Sequence, residues 1–546
     1  MKKLVSLILC LAMALAWLPA GSPFAAAADS PFDGGSGTAE DPYLVSTPEQ
    51  LKAVKDYSSS HFLQTNDIDL SGVSNMPSQS IAEGGVYDGG GNCIKGYSGS
   101  TSLFSSNSGT IQNLGILDSS ISVVYNAAYT SSSYMKAIAC GIVEENSGVL
   151  QSCYVKNTTI LAHAELHSTS SYCTVNAKAG GIVGINQEGG VIRGCYMTGS
   201  VTARGEAYAV RAKTTNATQY AGGLAAVNYG TIEVSYSTAA VEATGERSTN
   251  FNLANGKVTN YTGTVSAYNE DTGVITNSYY TGDQGIGYGE ADGIIQKNET
   301  EITSPEFAEE LNGLYGLWEL ATDGKGVGFA AENITLSATP EPGTYDMPQT
   351  IQLESNRVPA EQLLYSIEGV TSGRKPYPGS ITIDGDSTVQ VYAALPDHPD
   401  VYRVFALDYV AIRYPVDAYP LPDTYDWPQK IELSHREEGA KIYYTTDGSD
   451  PISNGIPYES KIPVLNTTTI KAAAKVNGEW IGPATFEYVI SPVIHATPAP
   501  SETLHTEPME VTLSCDVPGF EIYYTTDCDL SDYRSEGSPR DEWSMG

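Results

Sequence analysis

Small and β-branched residues alternate along this chain in short runs that Asn and Gly interrupt. In "AGGIVGINQEGGVIRGCYMTGSV", residues 179–201, an apolar run meets a polar turn, and a second alternating run begins at once. Alternation with period two marks a strand with one buried face, and Asn and Gly supply the backbone conformations that tight corners need. The stretch recurs as "ACGIVEENSGVLQSCYVKNTTI" from Ala139, "AGGLAAVNYGTIEVSYSTAAVEA" from Ala221 and "TGTVSAYNEDTGVITNSYYTG" from Thr262, with a worn copy, "LFSSNSGTIQNLGIL", from Leu103. Anchored on Asn107, Asn146, Asn186, Asn228 and Asn269, the spacings are 39, 40, 42 and 41 residues. So regular a period predicts a solenoid. Equivalent positions also repeat chemically: Ile111, Leu150, Ile192, Ile232 and Ile275 after the turn, then Tyr154, Tyr196, Tyr236 and Tyr279. In a parallel β-helix each coil sits about 4.8 Å above the last, so like side chains stack in ladders. The pattern therefore predicts a right-handed parallel β-helix of short strands over residues 101–290, preceded by a cap and first coils at 29–100.

Both ends of the solenoid carry helix signals. Thr47, Pro48 and Gln50 combine an N-cap, a proline at the first helical position and a side chain that reaches back. "SPEFAEELNGLYGLWEL", from Ser304 within a cap or linker at 291–331, reads as a second short helix closing the other end. From about residue 332 the period changes. "TYDMPQTIQL", "TYDWPQKIEL" and "HTEPMEVTL" place Pro348, Pro428 and Pro508 eighty residues apart, each followed by a tyrosine-rich strand such as "IYYTTDG". Such units predict small β-sandwiches in series: a divergent first at 332–415, a second at 416–491 and a third at 492–546 that breaks off after Asp527. The fold class is all-β, a capped solenoid followed by tandem sandwiches.

Composition narrows the setting. Lys2 and Lys3, the apolar run Leu4–Leu18 and the alanines 26–28 read as a secretory signal over residues 1–28, and no later run is apolar enough to span a bilayer. A net charge of −35 argues against nucleic acid as a partner. Seven cysteines remain after the signal, an odd number, so disulfides do not organise the fold. Cys153 and Cys195 occupy one rung position. Stacked interior thiols are expected there, with a disulfide between coils as the alternative. Cys515 and Cys528 flank a hairpin and could pair.

The signature "GGIVGxNxGxIxxCYxxGxV" resembles the GLUG motif of bacterial surface and secreted proteins, found in adhesin-like chains and in non-catalytic parts of IgA-cleaving metallopeptidases. The resemblance covers about residues 100–285, and "GTAEDPYLVSTPEQLKAV" resembles the usual lead-in of such proteins. The later units resemble the chitobiase/β-hexosaminidase C-terminal type, also called GH29D-like, best through "YYTTDGSDP" at Tyr443–Pro451. That resemblance implies an accessory module without catalytic residues.

Candidate chemistry is sparse. "HAELH" at 163–167 is not a helical HExxH site, but on a strand His163, Glu165 and His167 would face one side as a ligand set for a structural divalent cation. It falls between rungs, in what reads as an irregular excursion. Asp447 and Asp450 read as turn formers before calcium ligands. Trp427, Tyr443, Tyr444 and Trp480 are the stacking candidates for a sugar ring, core packing being the alternative role. A β-helix lyase or glycosidase would need paired carboxylates on one face, whereas Glu144, Glu145, Glu188 and Glu233 do not occupy matching positions. The expectation is a secreted or cell-surface, non-catalytic, adhesin-like monomer. It would need no cofactor beyond that cation and would bind a glycan or a host or neighbour-cell surface protein. A carbohydrate-active β-helix enzyme is the rival reading.

Overall fold

The computed structural model describes residues 30–524, apart from 171, 210–213, 250–255, 322–325, 346–347, 369, 372, 412–414, 438, 477, 498–508, 516 and 518–520. The signal segment and Cys528 lie outside these residues. The described residues fall into two compact units that divide between Val410 and Ala411.

The first unit begins as the expected solenoid. One coil runs through Val143–Asn146, Val149–Gln151, Tyr154–Ser168 and Tyr172–Gly180. Each of these strands pairs in parallel with its equivalent in the next coil, Val183–Asn186, Val191–Arg193, Tyr196–Ala209 and Thr214–Gly222. The aligned asparagines are register partners throughout. Their side chains form a continuous ladder, each Nδ2 donating to the Oδ1 of the next coil at 2.8 Å. The same nitrogens also donate to turn carbonyls such as Gly148 O, Gly190 O and Gly230 O, each at 3.2 Å. Ile111, Leu150, Ile192, Ile232 and Ile275 stack in register and are buried. Cys153 and Cys195 are free, buried thiols in the interior, as the stacked-thiol reading expects.

Corners are set by close backbone approach and by left-handed residues. A Cβ at Gly181 would lie 1.8 Å from Gly223 O, so only glycine fits where the coil turns into its next strand. One corner position is left-handed in every one of these coils, at Asn113, Ser152, Gly194, Val234 and Asn277, with φ of 52°, 53°, 56°, 48° and 46°.

Two features depart from the sequence expectation. The strands are not all short, because each middle coil extends into a long pair, such as Tyr154–Ser168 out and Tyr172–Gly180 back. These long strands face each other through Ile160, Ala162, Ala164 and Leu166 on one side and Cys173, Val175, Ala177 and Ala179 on the other, all fully buried. Ala162, Ala164, Ala177 and Ala179 let the two layers approach closely. "HAELH" therefore lies on a regular strand and not in an irregular excursion. The second departure concerns the helix Pro305–Asn312, which does not close the end of the solenoid. Cys153 and Val155 point inward, so Tyr154 between them points outward, and the tyrosine ladder stands on the solenoid's outer flank. Phe307 of the helix meets Tyr236 and Tyr279 edge to face, and the hairpin Trp318–Leu320 with Val327–Phe329 completes the cover. The end is closed instead by irregular chain: Val265 N donates to Gly285 O at 2.8 Å, Asn269 N to Tyr288 O at 2.9 Å and Asn269 Nδ2 to Glu290 O at 2.7 Å.

At the other end the helix Pro48–Ala53 forms as expected. Thr47 Oγ1 accepts from Gln50 N at 3.3 Å, Gln50 Oε1 accepts from Thr47 N at 3.1 Å, and Leu51 and Val54 are buried in the solenoid core.

The first sandwich packs a three-stranded sheet (Leu336–Thr339, Gln349–Ser355, Ile381–Ile383) on a five-stranded one that contains Ser387–Leu395 and His398–Ala411. It is fastened to the solenoid by Val404 N to Gly90 O at 3.0 Å, Asn92 Nδ2 to Val404 O at 3.0 Å and an Arg403–Asp67 ion pair at 3.2 Å. The second unit repeats the same strand order in Asp417–Tyr419, Gln429–Ser434 and Ile462–Val464 against a five-stranded sheet containing Lys441–Thr445, Thr468–Val476 and Glu479–Ile490. Divergent sequences thus keep one topology. Tyr409 and Tyr488 mark the correspondence, donating to Pro340 O at 2.8 Å and Pro420 O at 2.7 Å. Of a third copy, the described residues hold one antiparallel pair, Ile494–Thr497 with Thr512–Cys515.

Candidate functional sites

The four aromatic candidates of the second sandwich do not form one surface. Tyr443 and Tyr444 are neighbours on a strand and point to opposite faces. Tyr444 packs toward the core and meets Tyr458 edge to face. Tyr443 lies on the outer face, 5.1 Å from Trp480 at 66°, with Lys475 Nζ 5.2 Å from the Trp480 ring centroid. Trp427 is exposed, and its carbonyl accepts from Gln429 Nε2 at 3.0 Å. The structure therefore brings together Tyr443 and Trp480 and leaves Trp427 and Tyr444 elsewhere. Asp447 and Asp450 are turn residues: Asp447 Oδ1 accepts from Ser449 N at 3.0 Å, and Asp450 Oδ1 accepts from Ile452 N at 3.1 Å to cap a short helix. Those local donors hold both carboxyls below the usual range.

On the solenoid, His163, Glu165 and His167 share the outward face of one long strand, as strand alternation predicts. His163 and Glu165 come together with a third residue absent from the sequence reading, Glu206 of the next coil. His167 does not join that group. Its Nε2 shares a hydrogen bond of 2.8 Å with Glu165 Oε1, and its ring stacks on Tyr208 at 4.5 Å. Burial raises the Glu206 carboxyl, but the Tyr208 hydroxyl and the Arg204 guanidinium outweigh it and hold the group below its ordinary value.

A third site was not visible in the sequence. Beside the covered tyrosine ladder, a cleft of about 410 Å³ opens between the solenoid flank, residues 315–317 and 329–332, and the first sandwich. Rings of Tyr154, Tyr315, Phe329 and Tyr402 line it together with the amides of Gln112 and Gln151. The amides are another ladder: Gln151 Nε2 donates to Gln112 Oε1 at 2.9 Å, and Gln112 Nε2 donates to Asp88 Oδ2 at 2.6 Å. Asp88 also accepts from Gly90 N at 2.9 Å, Asn113 Nδ2 at 3.1 Å and the Tyr402 hydroxyl. Burial and the neighbouring Asp88 charge push the Tyr402 hydroxyl far above its ordinary value, so it stays a donor. Glu332, at the cleft's edge, accepts from Tyr196 Oη at 2.9 Å and Phe329 N at 2.7 Å. The one sequence hint was the pair Gln112 and Gln151 at matching rung positions. Tyr315 and Tyr402, far apart along the chain, gave none.

Fold and surfaces together define a class: a β-solenoid carrying tandem β-sandwich modules, with small aromatic and polar clefts on its flank. Within it, residues 420–480 match the family described as chitobiase/beta-hexosaminidase C-terminal domain. A solved structure from Bacteroides ovatus, described as a "putative immunoglobulin A1 protease", is 20% identical, with a TM-score of 0.37 over 55% of this chain and 95% of that one. No curated protein matches the chain. Among the described residues no helix is long and apolar enough to cross a membrane.

Proposed function

We propose that the protein is a non-catalytic, extracellular or cell-surface glycan-binding protein, in which the solenoid is a stiff platform and the cleft beside the tyrosine ladder is the sugar site. The GLUG-like repeats and the carbohydrate-enzyme accessory module at 420–480 fit that setting. The observation that carries the reading is the composition of the cleft. Flat rings offer faces for the apolar side of a pyranose, and the Gln112–Gln151 amides offer donors and acceptors for its hydroxyls. Its volume, about 410 Å³, suits one or two sugar units. Asp88 and Glu332 are already occupied as acceptors, which supports binding over acid–base catalysis. A chain of charge −35 favours a neutral or amine-bearing glycan over a sulfated or uronic one.

A glycan array probed with the full chain tests this. Tyr315→Ala should weaken binding about tenfold or more, the loss of one well-stacked ring, while leaving the circular dichroism unchanged. Loss in Trp480→Ala but not in Tyr315→Ala would move the site to the second sandwich, where Tyr443 and Trp480 meet. Release of reducing ends or unsaturated sugars from a polysaccharide panel would favour the enzyme reading and sink this one.

A further inference from the structure

The outward face of Tyr154–Ser168 and Tyr196–Ala209 carries side chains that neither the core nor the glycan cleft uses. In register, His163 lies opposite Arg204, Glu165 opposite Glu206 and His167 opposite Tyr208. Glu246 continues the carboxylate column in the following coil. Stacked carboxylates at strand spacing repel one another, a repulsion that Arg204 relieves at Glu206 and that a cation among the three side chains would relieve further. We propose that His163, Glu165 and Glu206 bind a first-row divalent cation of the zinc class.

Geometry, burial and donor chemistry agree on this assignment. One ligand atom from each residue can be chosen so that all lie within 4.8 Å of one another. His163 Nε2 is shut off from solvent and makes no hydrogen bond, and Glu206 is 7% exposed. A buried ring nitrogen left without a hydrogen bond costs folding free energy that a bound cation would recover. His163 Nε2 and Glu206 Oε1 are 3.5 Å apart. Two ligand atoms each about 2.1 Å from a tetrahedral ion are separated by about 3.4 Å. One nitrogen and two carboxylates suit zinc or its neighbours, whereas calcium takes six or more oxygens.

The surrounding residues have defined parts. His167, bonded to Glu165, and Tyr208, whose hydroxyl donates to Glu206 Oε2 at 2.7 Å, are positioning residues that aim the two carboxylates. Arg204 Nε donates to Glu206 Oε1 at 2.6 Å, the same oxygen that faces His163. Its side chain is 52% exposed, so it can turn out to solvent when a cation enters. Arg204 is thus a built-in competitor of the metal.

The full chain, stripped with chelator and titrated calorimetrically with zinc, should bind one ion at this site. His163→Ala and Glu206→Gln should weaken that binding by more than the roughly 10–100-fold that loss of an outer partner costs. Arg204→Gln should tighten it about fivefold, as expected for removing one nearby exposed like charge, a gain that a purely structural cluster would not give. Should either ligand variant fold poorly, cobalt added to the wild-type chain provides a second readout, because imidazole and carboxylate ligation gives a visible absorption band. No zinc uptake and no cobalt band in the wild type, or unchanged affinity in a folded His163→Ala variant, would overturn the assignment. Glycan binding by Tyr315→Ala is read separately, so the two proposals fail independently.

Discussion

At the scale of single residues, the asparagine ladder shows how far chemistry can be read from spacing. The five aligned asparagines were legible because they recur at one turn position in five successive coils, where an amide can donate to one neighbour while accepting from the other. The consequence differs along the ladder. Asn186 is bonded on both sides, whereas Asn107 ends the run with its buried Oδ1 unpaired, because its partner in the preceding coil is Ile81. Asn186→Ala orphans buried groups in two coils and should cost about 2–4 kcal/mol, and Asn107→Ala roughly half as much, by urea denaturation. Equal costs would mean that the ladder bonds do not matter. The left-handed corner position was illegible for a physical reason. Asn, Ser, Gly, Val and Asn fill it, residues with little in common, because closure of the coil imposes the conformation whatever the side chain prefers. Glu206 was missed for a related reason, since what joins it to His163 is pairing between coils and not proximity along the chain.

At the scale of elements, parity decided what sequence could not. The helix 305–312 was readable from its cap and from the apolar positions Phe307, Ala308 and Leu311, but its place depended on whether the tyrosines point in or out. With Cys153 inside, Tyr154 must be outside, and an exposed column of tyrosines needs a cover. The long strands carry a second consequence in Lys178. Burial, with a smaller contribution from the neighbouring Lys136, pushes its ammonium down to about 8 from 10.5. Because the folded state gives up this proton first, the unfolded chain binds more protons between about pH 8 and 10.5, and stability rises with pH across that window. Lys178→Met should therefore be more stable than wild type at pH 7, by about 1–2 kcal/mol, with the difference fading by pH 10.5. Chemical denaturation at both pH values reads this directly, and a pH-independent difference would refute it.

At the scale of the whole molecule, the two compact units have separate hydrophobic cores and should unfold as separate transitions in calorimetry. Ile232→Ala in the solenoid should lower one transition and Ile470→Ala in the second sandwich the other, each by about 2–4 kcal/mol, and a single merged transition would contradict the division. By itself the sequence determined the repeat period, the ladders, the capping box at Thr47 and the serial sandwiches. All of these follow from local alternation and turn chemistry, written again in each copy. Only the tertiary structure decided which face of each rung is buried, where the helix 305–312 lies, and which residues meet in the flank cleft and around His163. Those depend on contacts between coils and between modules, and chain spacing cannot report them because residues distant in sequence become neighbours only once the solenoid has wound.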